Sequence, residues 1–148
     1  MKRVELESKI NEVGRECAAL RSRMAARAVT RVYDEALRSI DLKVTQFTLL
    51  AAIRSDAFRS ISEMADWLAL ERSTLSRNLQ VLERRGLVKR SGSRGGLART
   101  LTITPEGEAL LVCALPLWGE AQKRLRRRIG HESWIAARKA LSSLAKVD

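Results

Sequence analysis

Ser73, Ser76, Arg77 and Gln80 combine two short hydroxyls, a guanidinium and an amide at a spacing that puts all four on one side of a helix. At about 100° per residue they lie together, while Leu75, Leu79 and Leu82 form a stripe on the opposite side. Such groups contact phosphates and base edges when a helix enters a major groove. Thr74 and Ser73 stand near the expected helix start, where free amides and the helix dipole favour a phosphate. Ser73 equally suits a plain N-cap. The layout is one that reads DNA.

Charge supports that chemistry. From Arg72 to Arg99 the cations are Arg72, Arg77, Arg84, Arg85, Lys89, Arg90, Arg94 and Arg99, against Glu83 alone. A surface shaped only for solubility mixes signs more evenly. The whole chain of 148 residues carries a formal net charge of +11, arginine more than lysine. Arginine's planar fork suits bidentate contacts to phosphate and guanine. The competing reading is a basic protein with solvated helix faces. A second basic run, Lys123-Arg-Leu-Arg-Arg-Arg128, fits a solvated face, or arginines paired with glutamates of a partner, better than a second nucleic-acid contact.

The elements that must position the polar face are legible around it. Ile61, Met64, Ala65 and Leu68 have helical spacing, and Ser60-x-x-Glu63 has the form of a capping box. Ser73 to Arg85 reads as the next helix, stopped by Gly86. Leu87–Ser91 and Ala98–Ile103 read as two short strands around a glycine-rich turn. Upstream, Val4 to Ser39 reads as one long helix, and Thr45 is placed to cap a helix over Gln46 to Arg54. Downstream, Thr104-Pro105-Glu106 is a strong helix start, with a run to about Ile129 that Pro116 and Gly119 can bend or interrupt. A last helix covers about Glu132 to Lys146. A first helix of that length cannot be fully covered by a domain this small, so part of it is expected to meet a partner chain.

No apolar run reaches the ~18 residues needed to span a bilayer, and the N-terminus lacks the apolar core of a secretory signal. Cys17 and Cys113 are too few and too far apart for a disulfide framework or a metal site. A cytoplasmic protein is therefore expected. One histidine, His131, and no His/Cys/Asp cluster, phosphate-cradling Gly-Lys loop or nucleophile elbow give no support to an enzyme, and no cofactor is expected.

In their order and spacing, Arg31-Val-Tyr33-Asp34 with Leu37, Thr45-Gln46-Phe47-Thr-Leu-Leu50, Glu63-Met-Ala65, Ser73-Thr-Leu-Ser-Arg77-Asn, Leu82-Glu83-x-x-Gly86-Leu-Val88 and Leu101-Thr-Ile-Thr104-Pro-Glu-Gly107 resemble the MarR family of bacterial winged helix-turn-helix regulators. The resemblance covers nearly the full chain. It implies a mainly α fold with a small β-hairpin wing: a DNA-binding lobe over residues 42–104 and a helical dimerisation lobe from residues 1–41 and 105–148. It also implies a homodimer on a pseudo-palindromic operator. A repressor released by a small ligand, often phenolic, is the expected mode.

The expected DNA contacts are Ser73, Thr74, Ser76, Arg77, Gln80 and Arg84, with Arg94 and Arg99 in the wing. The wing departs from the family's pattern: Ser93-Arg94-Gly95-Gly96-Leu97-Ala98-Arg99 has no aspartate to buttress an arginine. Two alternatives stand beside this reading. One is a sequence-independent nucleic-acid-coating protein. The other is a redox-switched regulator acting through Cys17, although Tyr33 is the sole tyrosine and Phe47 stands where that branch has another. Trp67, Trp118 and Trp134 are more simply core or dimer contacts than the lining of a ligand pocket.

Overall fold

The computed structural model describes residues 3–90 and 101–146. Seven α-helices and a two-stranded antiparallel sheet follow in the order α1 (Arg3–Glu16), α2 (Ala18–Ala36), α3 (Val44–Ser55), α4 (Ile61–Trp67), α5 (Arg72–Arg84), β1 (Val88–Arg90), β2 (Leu101–Ile103), α6 (Pro105–Ile129) and α7 (His131–Leu144), with a 3-10 turn at Arg38–Ile40. Val88 pairs with Ile103, Lys89 with Thr102 and Arg90 with Leu101. The expected mainly helical fold with a small hairpin is what the structure has. None of the described helices is long and apolar enough to cross a membrane.

One hydrophobic core holds the centre. Phe47, Leu49, Leu50 and Ile53 of α3 meet Met64 and Ala65 of α4, Leu75, Leu79 and Leu82 of α5, and Leu87, Val88 and Leu101 of the hairpin. Leu37 and Leu42 enter from before α3, and Leu111 and Ala114 from α6, which packs along both α2 and α3. Burial thus concentrates around the helix-turn-helix. By contrast, no residue of α1 or α7 is buried.

The expected single helix from Val4 to Ser39 is two. Cys17 leaves helical geometry (φ −63, ψ 107) and divides α1 from α2. A break orphans the last carbonyls of α1. The Arg21 guanidinium, one turn into α2, donates to the carbonyls of Arg15 and Gly14 at 3.2 and 3.3 Å and so covers that end. Thr45 does not cap α3, which starts two residues earlier than expected, at Val44, with Lys43 at the cap position. The exposed amides there are met instead by Asp34 of α2, whose Oδ1 accepts from Val44 N at 2.8 Å, and by Gln46 Oε1, which accepts from Lys43 N at 3.1 Å.

Further caps follow the residue pattern more closely. Ser60 Oγ accepts from Glu63 N at 3.0 Å, while the Glu63 carboxylate reaches one residue beyond the usual box to Arg59 N at 2.7 Å. Thr104 Oγ1 accepts from Gly107 N at 3.0 Å and donates to Gly86 O at 2.7 Å, tying the start of α6 to the end of α5. Gly107 is there for space: a Cβ would stand 2.1 Å from the Leu87 carbonyl oxygen. Helix α6 runs unbroken past Pro116 and Gly119. Proline removes one backbone donor, to the carbonyl four residues earlier. Both Pro116 and Val112 face solvent, where water can serve that carbonyl.

Candidate nucleic-acid interface

Helix α5 is held by Leu75, Leu79 and Leu82, each at most 1% exposed. With that stripe fixed inward, helical geometry turns Ser73, Ser76, Arg77, Gln80 and Arg84 outward together, and all five are exposed. Thr74 lies to one side, half-buried. The Arg77 guanidinium rests along its own helix, donating from Nε to Ser73 O at 3.3 Å and from Nη2 to Thr74 Oγ1 at 3.5 Å. Asn78 turns the other way and donates to Thr74 O at 2.9 Å. Among the described residues no acid contacts Arg77, and the contacts that hold its guanidinium there are long ones that a phosphate or guanine can replace.

The entry to α5 is built by the turn after α4. Ala69 takes a left-handed conformation (φ 51), and Leu70 N donates back to Ala65 O at 2.9 Å. Helix α5 begins at Arg72 with Glu71 at the cap position and no side-chain cap. Ser73 is therefore inside the first turn and is not the N-cap. At the other end Gly86 (φ 69) terminates the helix, with Gly86 N donating to Glu83 O and Leu87 N to Leu82 O, both at 2.9 Å.

The cations of this region divide by what they touch. Arg85 Nη1 donates to Asp41 O at 2.6 Å, with the Asp41 carboxylate 3.8 Å away. Arg90 pairs with Glu83 at 2.7 Å. Both are engaged within the protein. Arg72, Arg77, Arg84 and Lys89 have no acid partner among the described residues. Arg94 and Arg99 lie outside the described residues. The partner of Arg85 comes from the loop before α3 and that of Arg90 from the neighbouring helix α5.

The remaining candidates are dispersed. Trp118 stacks on Phe47 at 6.2 Å, Trp67 leans on Phe58 at 5.2 Å with most of its surface in solvent, and Arg126 sits 5.9 Å over Trp134. These three tryptophans have separate neighbours among the described residues. Cys17 is half-buried at the α1–α2 break and Cys113 is exposed. Burial pushes the Tyr33 phenol above its ordinary pKa. Among the described residues no three His, Cys, Asp or Glu side chains gather to hold a metal ion.

Comparison with known proteins bears on this geometry. The M. tuberculosis transcriptional regulator MosR is 35% identical in sequence, superposes with a TM-score of 0.78, and is matched over 88% of this chain and 94% of its own. A profile of the MarR family matches residues 40–96. The chain belongs to the MarR family. MosR has also been solved in complex with DNA, at 37% identity and a TM-score of 0.77 over 88% of this chain and 95% of that one. The repressor CouR, solved bound to p-coumaroyl-CoA, shares the fold at 24% identity and a TM-score of 0.80, over 93% of this chain and 96% of that one. HTH-type transcriptional regulators of Bacillus cereus and Bacillus anthracis are 32% identical over 83 residues, 56% of this chain and 55% of theirs. The chain spans about half the length of the curated relatives it matches. In this MarR-family chain α4 and α5 form the helix-turn-helix, and β1 and β2 are the described part of the wing.

Proposed function

We propose that this protein is a sequence-specific, double-stranded-DNA-binding regulator of transcription that acts as a homodimer and represses. The observation that carries the reading is the exposed stripe of Ser73, Ser76, Arg77, Gln80 and Arg84 on a helix locked from behind by three buried leucines. Hydroxyls and uncapped amides at the start of α5 suit phosphate, while Arg77 and Gln80 have the forked donors that read guanine and adenine. MosR, the relative with 35–37% identity, has been solved on DNA, which supports the same use of α5 here.

The dimer reading rests on what the single chain leaves uncovered. Val4, Ile10 and Val13 of α1 and Ile135, Leu141 and Leu144 of α7 are more than half exposed. Apolar faces on helices that bury nothing of their own call for a partner. Two copies related by a two-fold axis present two α5 helices to half-sites about one helical turn apart, ~34 Å.

Selection of random duplexes by the purified protein at near-physiological salt, followed by sequencing, tests the reading. An enriched inverted repeat with that half-site spacing is expected. Tight, salt-sensitive binding with no enriched motif would favour the nucleic-acid-coating reading instead. Release by a small phenolic acid or its thioester is the effector mode to test first, by displacement from the selected site. Cys17 continues the apolar spacing of Leu6, Ile10 and Val13, and this supports a packing role over a redox one. Oxidant-induced release that Cys17→Ser abolishes would reverse that judgement.

A further inference from the structure

The basic run at the far end of α6 stands well away from the reading helix. Gly107 packs against the Leu87 carbonyl just past the end of α5. At ~1.5 Å per residue, Lys123 to Arg128 lie roughly 25–30 Å further along the α6 axis. Their described neighbours are α2, whose Arg31 shares a groove with Arg124 and Arg128, and α7, whose Trp134 lies 5.9 Å beneath the Arg126 guanidinium. Buried Leu111, Ala114 and Ala121 fix the inward side of α6, so Lys123 and Arg127, one turn apart, share the outward side.

The sequence alone favours a solvated face for this run, or pairing with a partner's acids. Its surroundings in the fold add to the charge instead of balancing it. Cations in a last turn favour the helix dipole, an effect confined to that turn. Here the basic surface continues onto Arg27 and Arg31 of α2 and onto Arg138 and Lys139 of α7, all exposed. Acids are sparse: Lys123 holds Glu120 at 2.7 Å and Arg38 holds Glu35, which leaves Glu132 at the start of α7. Arg126, Arg127 and Arg128 have no acid partner among the described residues. A face that is merely solvated mixes its signs.

We propose that this far end of the helical lobe is a second DNA-binding surface, which holds the phosphate backbone of a separate duplex without regard to sequence. This rests on the operator-binding reading and extends it: the protein grips its operator through α5 and links it to another stretch of DNA. Four of the five cations in the run are arginines, whose planar fork suits phosphate oxygens. A duplex fits better than an acidic protein, because a regulator seated on its operator is tethered to DNA. Neighbouring duplex is then the polyanion at the highest effective concentration. Contacts to phosphate alone carry no sequence information and weaken steeply with salt.

The test is a two-duplex capture with the full chain. Labelled operator from the selection is saturated with protein and passed over an immobilised duplex of unrelated sequence. Wild type should carry the operator onto that duplex at about 50 mM salt and release it by about 200 mM. K123Q/R126Q/R127Q should cut capture at least about tenfold, lower its salt slope by about one per lost phosphate contact, and leave operator affinity within about twofold. No capture by wild type, or capture that the triple variant retains, overturns the second surface. A triple variant whose self-association differs from wild type assigns these side chains to contacts between copies and also overturns it. Release by polyglutamate as readily as by free duplex at equal charge overturns the choice of DNA in favour of an acidic protein. If selection yields no operator, the reading of α5 fails by itself, and capture between two unrelated duplexes judges the second surface by the same loss. Should the variant not fold, sedimentation of wild type with excess operator decides: a second duplex bound at low salt supports the surface, and saturation at one overturns it.

Discussion

At the scale of single residues, two small residues in left-handed backbone bracket the reading helix α5 and call for opposite substitutions. Ala69 (φ 51) carries a Cβ in a conformation that costs an L-residue about 1–2 kcal/mol. Glycine removes that cost and adds back about 0.5–1 kcal/mol of chain entropy, so Ala69→Gly should raise stability by less than about 1 kcal/mol. Gly86 (φ 69) already has the favourable residue, and Gly86→Ala should lower stability by about 1 kcal/mol. Urea midpoints of the two variants, displaced in opposite directions at constant slope, check the pair. Arg77 is the residue to test for recognition. Its contacts among the described residues are confined to its own helical turn, so Arg77→Ala should leave the unfolding free energy measured in urea within about 0.5 kcal/mol of wild type. On a selected operator the same change should cost about 1–3 kcal/mol by fluorescence anisotropy. Unchanged operator affinity in a folded protein would remove Arg77 from the interface.

At the scale of elements, the period of the apolar residues was sufficient to find α4 and α5, because each buries one stripe against a shared core, and the cap residues Thr104-Pro105-Glu106 were sufficient to find the start of α6. It missed what distant residues decide. The break at Cys17 is covered by Arg21, the start of α3 is met by Asp34 ten positions upstream, and Arg85 is tied to Asp41. A local pattern has no access to such partners, so one helix was read in place of two and Thr45 in place of Lys43 at the cap. The outward face of α5 was legible for the converse reason: three buried leucines fix which side is left over. Gly107 joins the two kinds of information. Its place in Thr104-Pro-Glu-Gly107 reads as a helix start, but its necessity comes from the Leu87 carbonyl across the chain. Gly107→Ala forces α6 away from that backbone and should cost about 1–3 kcal/mol or more, seen as a lowered urea midpoint. A wild-type midpoint would mean that the approach of α6 to the end of α5 is looser than described.

At the scale of the whole molecule, the formal charge of +11 is unevenly committed. Arg85 and Arg90 are neutralised within the protein, while Arg72, Arg77, Arg84 and Lys89 remain without acid partners among the described residues. In the proposed dimer, two copies double that surface. With six or more phosphates neutralised per dimer, operator affinity should fall on the order of 10³-fold between about 50 and 200 mM salt. A slope of log affinity on log salt near zero would place the binding energy elsewhere.

The stretch from Arg38 to Lys43 is short, and it is gripped at both ends. Asp34 of α2 accepts from Val44 N at the start of α3, and Arg85 at the end of α5 donates to the Asp41 carbonyl. Through these two hydrogen bonds the end of α2 and the end of α5 share one short connector, so a ligand that tilted α2 should change the set of the reading helix. In the proposed dimer two-fold symmetry repeats any such tilt in both copies, so the gap between the two reading helices would change from both sides. DNA offers its grooves at a fixed pitch, so such a dimer would act as a caliper set far from its jaws.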